Sequence, residues 1–136
     1  MILPIGDINP TRSVPLLNYA LMGANVVAFL LFGLAGGEGY AQFVSQWGLV
    51  PAALASGDPH APVTLLTSMF LHGDMWHLAG NMLFLWICGD NVEDMLGSIG
   101  YLFFYIACGL AAGFAHMALT TTPDVPCIGA SGAISG

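Results

Sequence analysis

The sequence predicts an all-α protein, a polytopic transmembrane helical bundle with three full spans and the start of a fourth. Three observations carry this expectation. Of 136 residues, 57% are hydrophobic and 7% charged, against roughly 25% charged in an ordinary soluble domain, and mean hydropathy is +0.79. The apolar residues gather in runs long enough to cross a bilayer. The eight acids, Asp7, Glu38, Asp58, Asp74, Asp90, Glu93, Asp94 and Asp124, stand between or at the edges of those runs, where water or headgroups can solvate them.

The first run covers residues 14–36 and is interrupted only by the weakly polar Asn18 and Asn25. About 20 such residues cross a hydrocarbon core of roughly 30 Å. Residues 1–13 hold two prolines, Asp7 and Arg12 in place of a basic stretch leading to a cleavage site, so this span is expected to be retained. The connection 37–73 carries Tyr40, Phe43, Val44 and Trp47, then a proline-broken stretch at 56–62 and a short apolar run at 63–71. It reads as an interfacial segment with aromatic residues at headgroup depth. The second span is expected from about residue 75 to 88, capped by Asp74 and continuing as helix to Leu96. The third is expected over 99–119, where Gly109 and Gly113 form a small-xxx-small pair that permits close helix approach. A polar turn at 120–126 then leads to Gly129-Ala130-Ser131-Gly132, and Gly132 and Gly136 repeat the four-residue spacing at the start of the fourth helix. Residues 1–136 read as one domain.

Charge narrows the function. A formal net charge of −7, with Arg12 the single cation, excludes a nucleic-acid partner, which requires clustered Lys and Arg. Arg12 ahead of the first span favours a cytoplasmic N-terminus. On that orientation the 37–73 connection, the 120–128 turn, His77 and Ser131 all lie on the outer side. The three cysteines, Cys88, Cys108 and Cys127, are an odd number, two of them inside apolar runs, and read as packing residues.

Ser131, between small residues at a helix start, has the setting of a nucleophile. Its neighbours would let a substrate backbone approach, and its own N–H could donate to an oxyanion. His77 and Asn81 are four apart and share a helical face, so they could supply further donors. The structural alternatives are that Gly, Ala and Ser serve helix packing and that His77 and Asn81 join helices through buried hydrogen bonds. His72 would be displaced by about 140° from His77 on a continuous helix and is expected just before the helix start. His60 lies in a polar loop, and His116 near a span end can reach interfacial water. A metal site built from the four histidines is the reading from another class, but no pair has the three- or four-residue helical spacing of familiar zinc motifs and no paired thiolates help.

The run His72-Gly73-Asp74-Met75-Trp76-His77-Leu78-Ala79-Gly80-Asn81, the following Gly89-Asp90-Asn91-Val92-Glu93-Asp94-Met95-Leu96-Gly97, and Gly129-Ala130-Ser131-Gly132 resemble the rhomboid intramembrane serine proteases. Asn9-Pro10-Thr11-Arg12 and Trp47-Gly48-Leu49-Val50-Pro51-Ala52 are similar to bacterial members. The resemblance implies a six-helix membrane core and a serine–histidine dyad that works without metal or organic cofactor. Its substrates would be membrane-anchored proteins, cleaved in or near their transmembrane segments, and its place the bacterial inner membrane. By the same resemblance Ser131 is the nucleophile and His77 and Asn81 support the oxyanion. His72 lies near the site, and Glu93 is a structural polar residue at the inner end of the second helix.

The family's base is a histidine on the sixth core helix. The expectation is therefore a domain incomplete at its C-terminus, with the fifth and sixth core helices and the base beyond residue 136, and a fragment inactive alone. His116 precedes Ser131 and does not match that base. The alternative within the family is an inactive relative that binds client transmembrane helices. Oligomeric state is not legible.

Overall fold

The computed structural model describes residues 12–34 and 36–136. The Asn9-Pro10-Thr11 motif and most of the stretch bearing on a leader peptide lie outside those residues. Among the described residues the elements are helical: α1 Leu16–Ala28, α2 Gly37–Trp47, α3 Pro51–Ala55, α4 Ala61–Thr67, α5 Met75–Phe84, α6 Asp90–Leu119 and α7 Ser131–Ile134. α1 continues as a π turn over Phe29–Gly33, and Leu85–Gly89 form a second π turn joining α5 to α6. The all-helical membrane bundle read from the sequence is the architecture found.

Two stretches are long and apolar enough to cross a membrane, Leu16–Gly33 and Met75–Leu119, the latter of 45 residues. As one straight rod the second would measure roughly 67 Å, about twice a hydrocarbon core. Gly97 resolves this, with φ 70° and ψ 160° inside α6. That left-handed φ is open to glycine at no steric cost, and it divides the run into the second and third spans expected from the sequence. The two parts share a core, in which Leu85 from one clusters with Tyr101 and Tyr105 from the other.

The polar residues in these apolar elements tie the bundle together. The Asn18 amide donates to the Leu85 carbonyl at 2.8 Å and accepts from the Tyr101 hydroxyl at 3.0 Å, so the second π turn is stapled to α1. Asn25 donates to the Leu21 carbonyl, and both asparagines are fully buried. Proline at its N-cap gives α1 no side-chain cap of its own. Glu93 supplies one from α6, accepting from the Leu17 N–H at 3.1 Å and the Asn18 N–H at 2.8 Å, as well as from the Ser98 hydroxyl at 2.6 Å. Next to it, Asp94 accepts from the N–H of Arg12 and from the N–H and hydroxyl of Ser13. Orphan amides at a helix start need such partners, most of all away from water. Glu93→Ala is therefore expected to lower unfolding stability in lipid by about 3 kcal/mol. Glu93→Gln, which keeps one acceptor, should cost less; equal melting of all three proteins would remove Glu93 from this role.

The connection read as interfacial forms three short helices. Its aromatic residues dock on the end of the first span, with Phe32 and Phe43 stacked at 4.3 Å and Trp47 beyond them. α7 lies close against α6, because a Cβ at Gly132 would stand 2.6 Å from Ala112 Cβ and one at Gly109 would stand 3.3 Å from Ala133 Cβ, while also colliding with Met69 of the connection. The other member of that glycine pair, Gly113, faces Leu49 and Leu65 of the connection.

Candidate active site

The segment that delivers Ser131 is held by the connection through backbone bonds. Leu49 and Cys127 exchange both N–H···O bonds, at 3.0 and 2.8 Å, and the Ala52 N–H donates to the Pro123 carbonyl at 2.9 Å. Further on, the Gly129 N–H donates to the Ser68 carbonyl at 2.9 Å, while Gly129 adopts φ 123°, a conformation glycine tolerates and other residues rarely enter. Two residues later Ser131 opens α7 with its side chain exposed. The Ser131 carbonyl accepts from the N–H and hydroxyl of Ser135. Its Oγ makes no hydrogen bond among the described residues.

The absent side chain of Gly129 marks the site. A Cβ there would stand 2.7 Å from Cε1 and Nε2 of His77 and 3.7 Å from Ser131 Oγ. The imidazole and the hydroxyl thus both lie beside Gly129, brought together across more than fifty residues of sequence. His77 is placed by the start of α5, where the Asp74 side chain caps the helix by accepting the His77 N–H at 2.9 Å. One turn further, Asn81 is buried on the same helix.

The residue that sequence spacing set apart belongs to this cluster. His72 precedes the helix, as expected, but the chain turns back at residues 73 and 74. Its ring meets His77 edge-on, with centroids 5.0 Å apart, and its Nε2 lies 2.9 Å from Asn81 Nδ2. The Tyr40 hydroxyl donates to the His72 carbonyl. An amide nitrogen only donates, so His72 Nε2 is the acceptor and the ring is neutral. His72 is fully buried, and desolvation, with His77 alongside, pushes its pKa down to about 4. The nearby Phe70 carbonyl acts in the opposite direction, without closing a hydrogen bond on Nδ1.

The sign of the pH effect follows. Between pH 6.5 and about 4 the unfolded chain holds the proton on this residue and the folded chain does not, so the contribution of His72 to stability is present above that window and falls as the pH drops through it. Imidazole ¹⁵N spectra are expected to report a neutral His72 from pH 8 to 5. A ring that charges near pH 6.5 would contradict the burial described.

The other candidates lie apart from this cluster or lack partners. His60 is exposed in its loop, edge-on to Trp47. His116 sits half-buried in the last turn of α6. Among the described residues no three His, Cys, Asp or Glu side chains gather as metal ligands. The three cysteines are free, and burial pushes the Cys127 thiol pKa up.

Fold and site together define a helical membrane protein that gathers a serine, two histidines and an asparagine at one end of the bundle. The rhomboid domain model matches residues 59–136, and the chain belongs to the rhomboid family. It is 33% identical over 123 residues to the rhomboid protease GluP of Bacillus subtilis (strain 168), covering 90% of this chain and 23% of that protein. To the mitochondrial rhomboid protein 1 of Saccharomyces cerevisiae it is 30% identical over 126 residues, 87% of this chain and 33% of that one. The human mitochondrial presenilin-associated rhomboid-like protein is 32% identical over 72 residues, 52% of this chain and 19% of that protein. The chain thus spans a third or less of the length of these relatives. No solved structure matches.

Proposed function

We propose that the protein is an intramembrane serine endopeptidase that cleaves membrane-anchored proteins in or near their transmembrane segments. The observation that carries this reading is the approach of both Ser131 Oγ and the His77 ring to the same glycine, Gly129. Family membership and the protease named among the relatives support it.

In this reading Ser131 Oγ attacks the scissile carbonyl while a histidine takes its proton. That base is read as a residue of a later core helix, completing a single rhomboid domain of which residues 1–136 are the first part. The resulting oxyanion accepts from the Ser131 N–H and from the His77 and Asn81 side chains. Donors fixed before reaction stabilise developing charge without reorganisation, which is why such a hole contributes so much to rate. The histidine then protonates the leaving amine, and water hydrolyses the acyl-enzyme. Substrates are single-span membrane proteins reached through the bilayer. The N-terminus is read as cytoplasmic, the site as opening to the outer face, and the host membrane as a bacterial inner membrane.

The direct test is covalent capture. A fluorophosphonate probe incubated with the full-length protein in lipid should modify Ser131, located by peptide mass, and pretreatment should block cleavage of a single-span reporter substrate. Labelling elsewhere with Ser131 untouched would overturn the assignment.

A further inference from the structure

We infer that His72 is a positioning residue: by accepting the Asn81 Nδ2–H on its Nε2 and packing edge-on against His77, it fixes both of those side chains. The inference rests on the reading of Ser131 as a nucleophile and of His77 and Asn81 as oxyanion donors. It adds a residue that would touch neither substrate nor reacting atoms.

The argument begins with the freedom of the asparagine. Its terminal torsion is broad, so burial alone leaves the direction of the amide undetermined. The 2.9 Å contact to His72 Nε2 commits one Nδ2–H, and planarity of the amide then sets the direction of the other. Competing water is excluded, since Asn81 is 7% and His72 0% exposed. The same imidazole borders His77 at 5.0 Å and 68°, which limits rotation of the second donor. His72 is itself held, because Tyr40 of α2 bonds its carbonyl and Asp74 starts the helix two residues on. A residue serving packing alone could be aliphatic here, and burying an imidazole has a cost that an aliphatic side chain avoids.

Stereochemistry supplies the test. The side-chain amide of glutamine reaches the position of imidazole Nε2, whereas that of asparagine reaches only that of Nδ1. In the full-length protein reconstituted in liposomes, cleavage of a single-span fluorescent reporter is measured for wild type, Ser131→Ala, His72→Gln, His72→Asn and His72→Leu. His72→Asn and His72→Leu are expected to lose about 10²-fold in kcat, the scale of a misplaced catalytic group, with KM within about twofold. His72→Gln should recover to within about threefold of wild type.

In an Asn81→Ala background, His72→Asn should add less than about a threefold further loss, since residues acting through one another are not additive. Equal rates for the Gln and Asn variants, or losses that multiply in the double variant, overturn the inference even if Leu prevents folding. Wild-type cleavage by Ser131→Ala would instead bring down the nucleophile reading, and the inference with it.

Discussion

Ser131→Ala is expected to reduce cleavage of a membrane-anchored reporter by roughly 10⁴-fold or more while leaving the fold intact. Two features support both halves of that expectation. The hydroxyl lies beside Gly129, which the His77 ring also approaches, so its removal takes away the attacking atom. Its Oγ has no partner among the described residues and the side chain is exposed, so nothing polar is orphaned, and the stability change should stay within about 0.5 kcal/mol. Turnover and melting temperature measured on the same preparation separate the two effects. Cleavage at the wild-type rate would end the case for Ser131.

The second large effect is expected from the two donors. Loss of one oxyanion donor typically lowers kcat by ~10²–10³, and His77→Ala and Asn81→Ala should each fall in that range with KM little changed, because the hole acts on the transition state. Their side effects should differ. Asn81→Ala strips the buried His72 Nε2 of its partner and should cost about 1–3 kcal/mol of stability. His77 contributes its backbone N–H to the Asp74 cap, which alanine retains, so His77→Ala should melt closer to wild type. If both variants turned over normally, the oxyanion role would fall to backbone amides alone.

Much of this architecture was legible because periodicity and punctuation are local properties. The spans, the Asp74 cap and the helix continuing to Leu96 follow from patterns within a few residues. What was not legible depends on partners distant in sequence. Asn18 looked like a mild interruption of a greasy run, yet it joins α1 to the Leu85 carbonyl and the Tyr101 hydroxyl. No feature near residue 18 announces either partner. His72 is more instructive. The helical-wheel argument correctly denied it a shared face with His77, but that argument applies only inside a helix. Once Asp74 sets the helix start, the preceding turn is free to fold the imidazole back onto Asn81 and His77. Five-residue spacing across a helix cap is the signal that could have joined the three, and it depends on knowing where the helix begins. Likewise the sequence suggested Gly129 only as a small neighbour. The backbone conformation it adopts accompanies a bond to Ser68 far upstream, and the His77 ring lies where a side chain at 129 would stand.

The paired backbone bonds between Leu49 and Cys127 have a temporal consequence. The chain emerges from the ribosome in order, so the segment carrying Ser131 has nothing to dock against unless the connection is already in place. Pairing closes a long loop, whose entropic cost must be met before the contact contributes. A chain with an undocked connection therefore lacks the bonds that hold the Ser131 segment in place. If the protein is the protease proposed above, assembly in this order would keep it inert while its own newly made helices are still exposed to it, and make it competent only as the bundle closes.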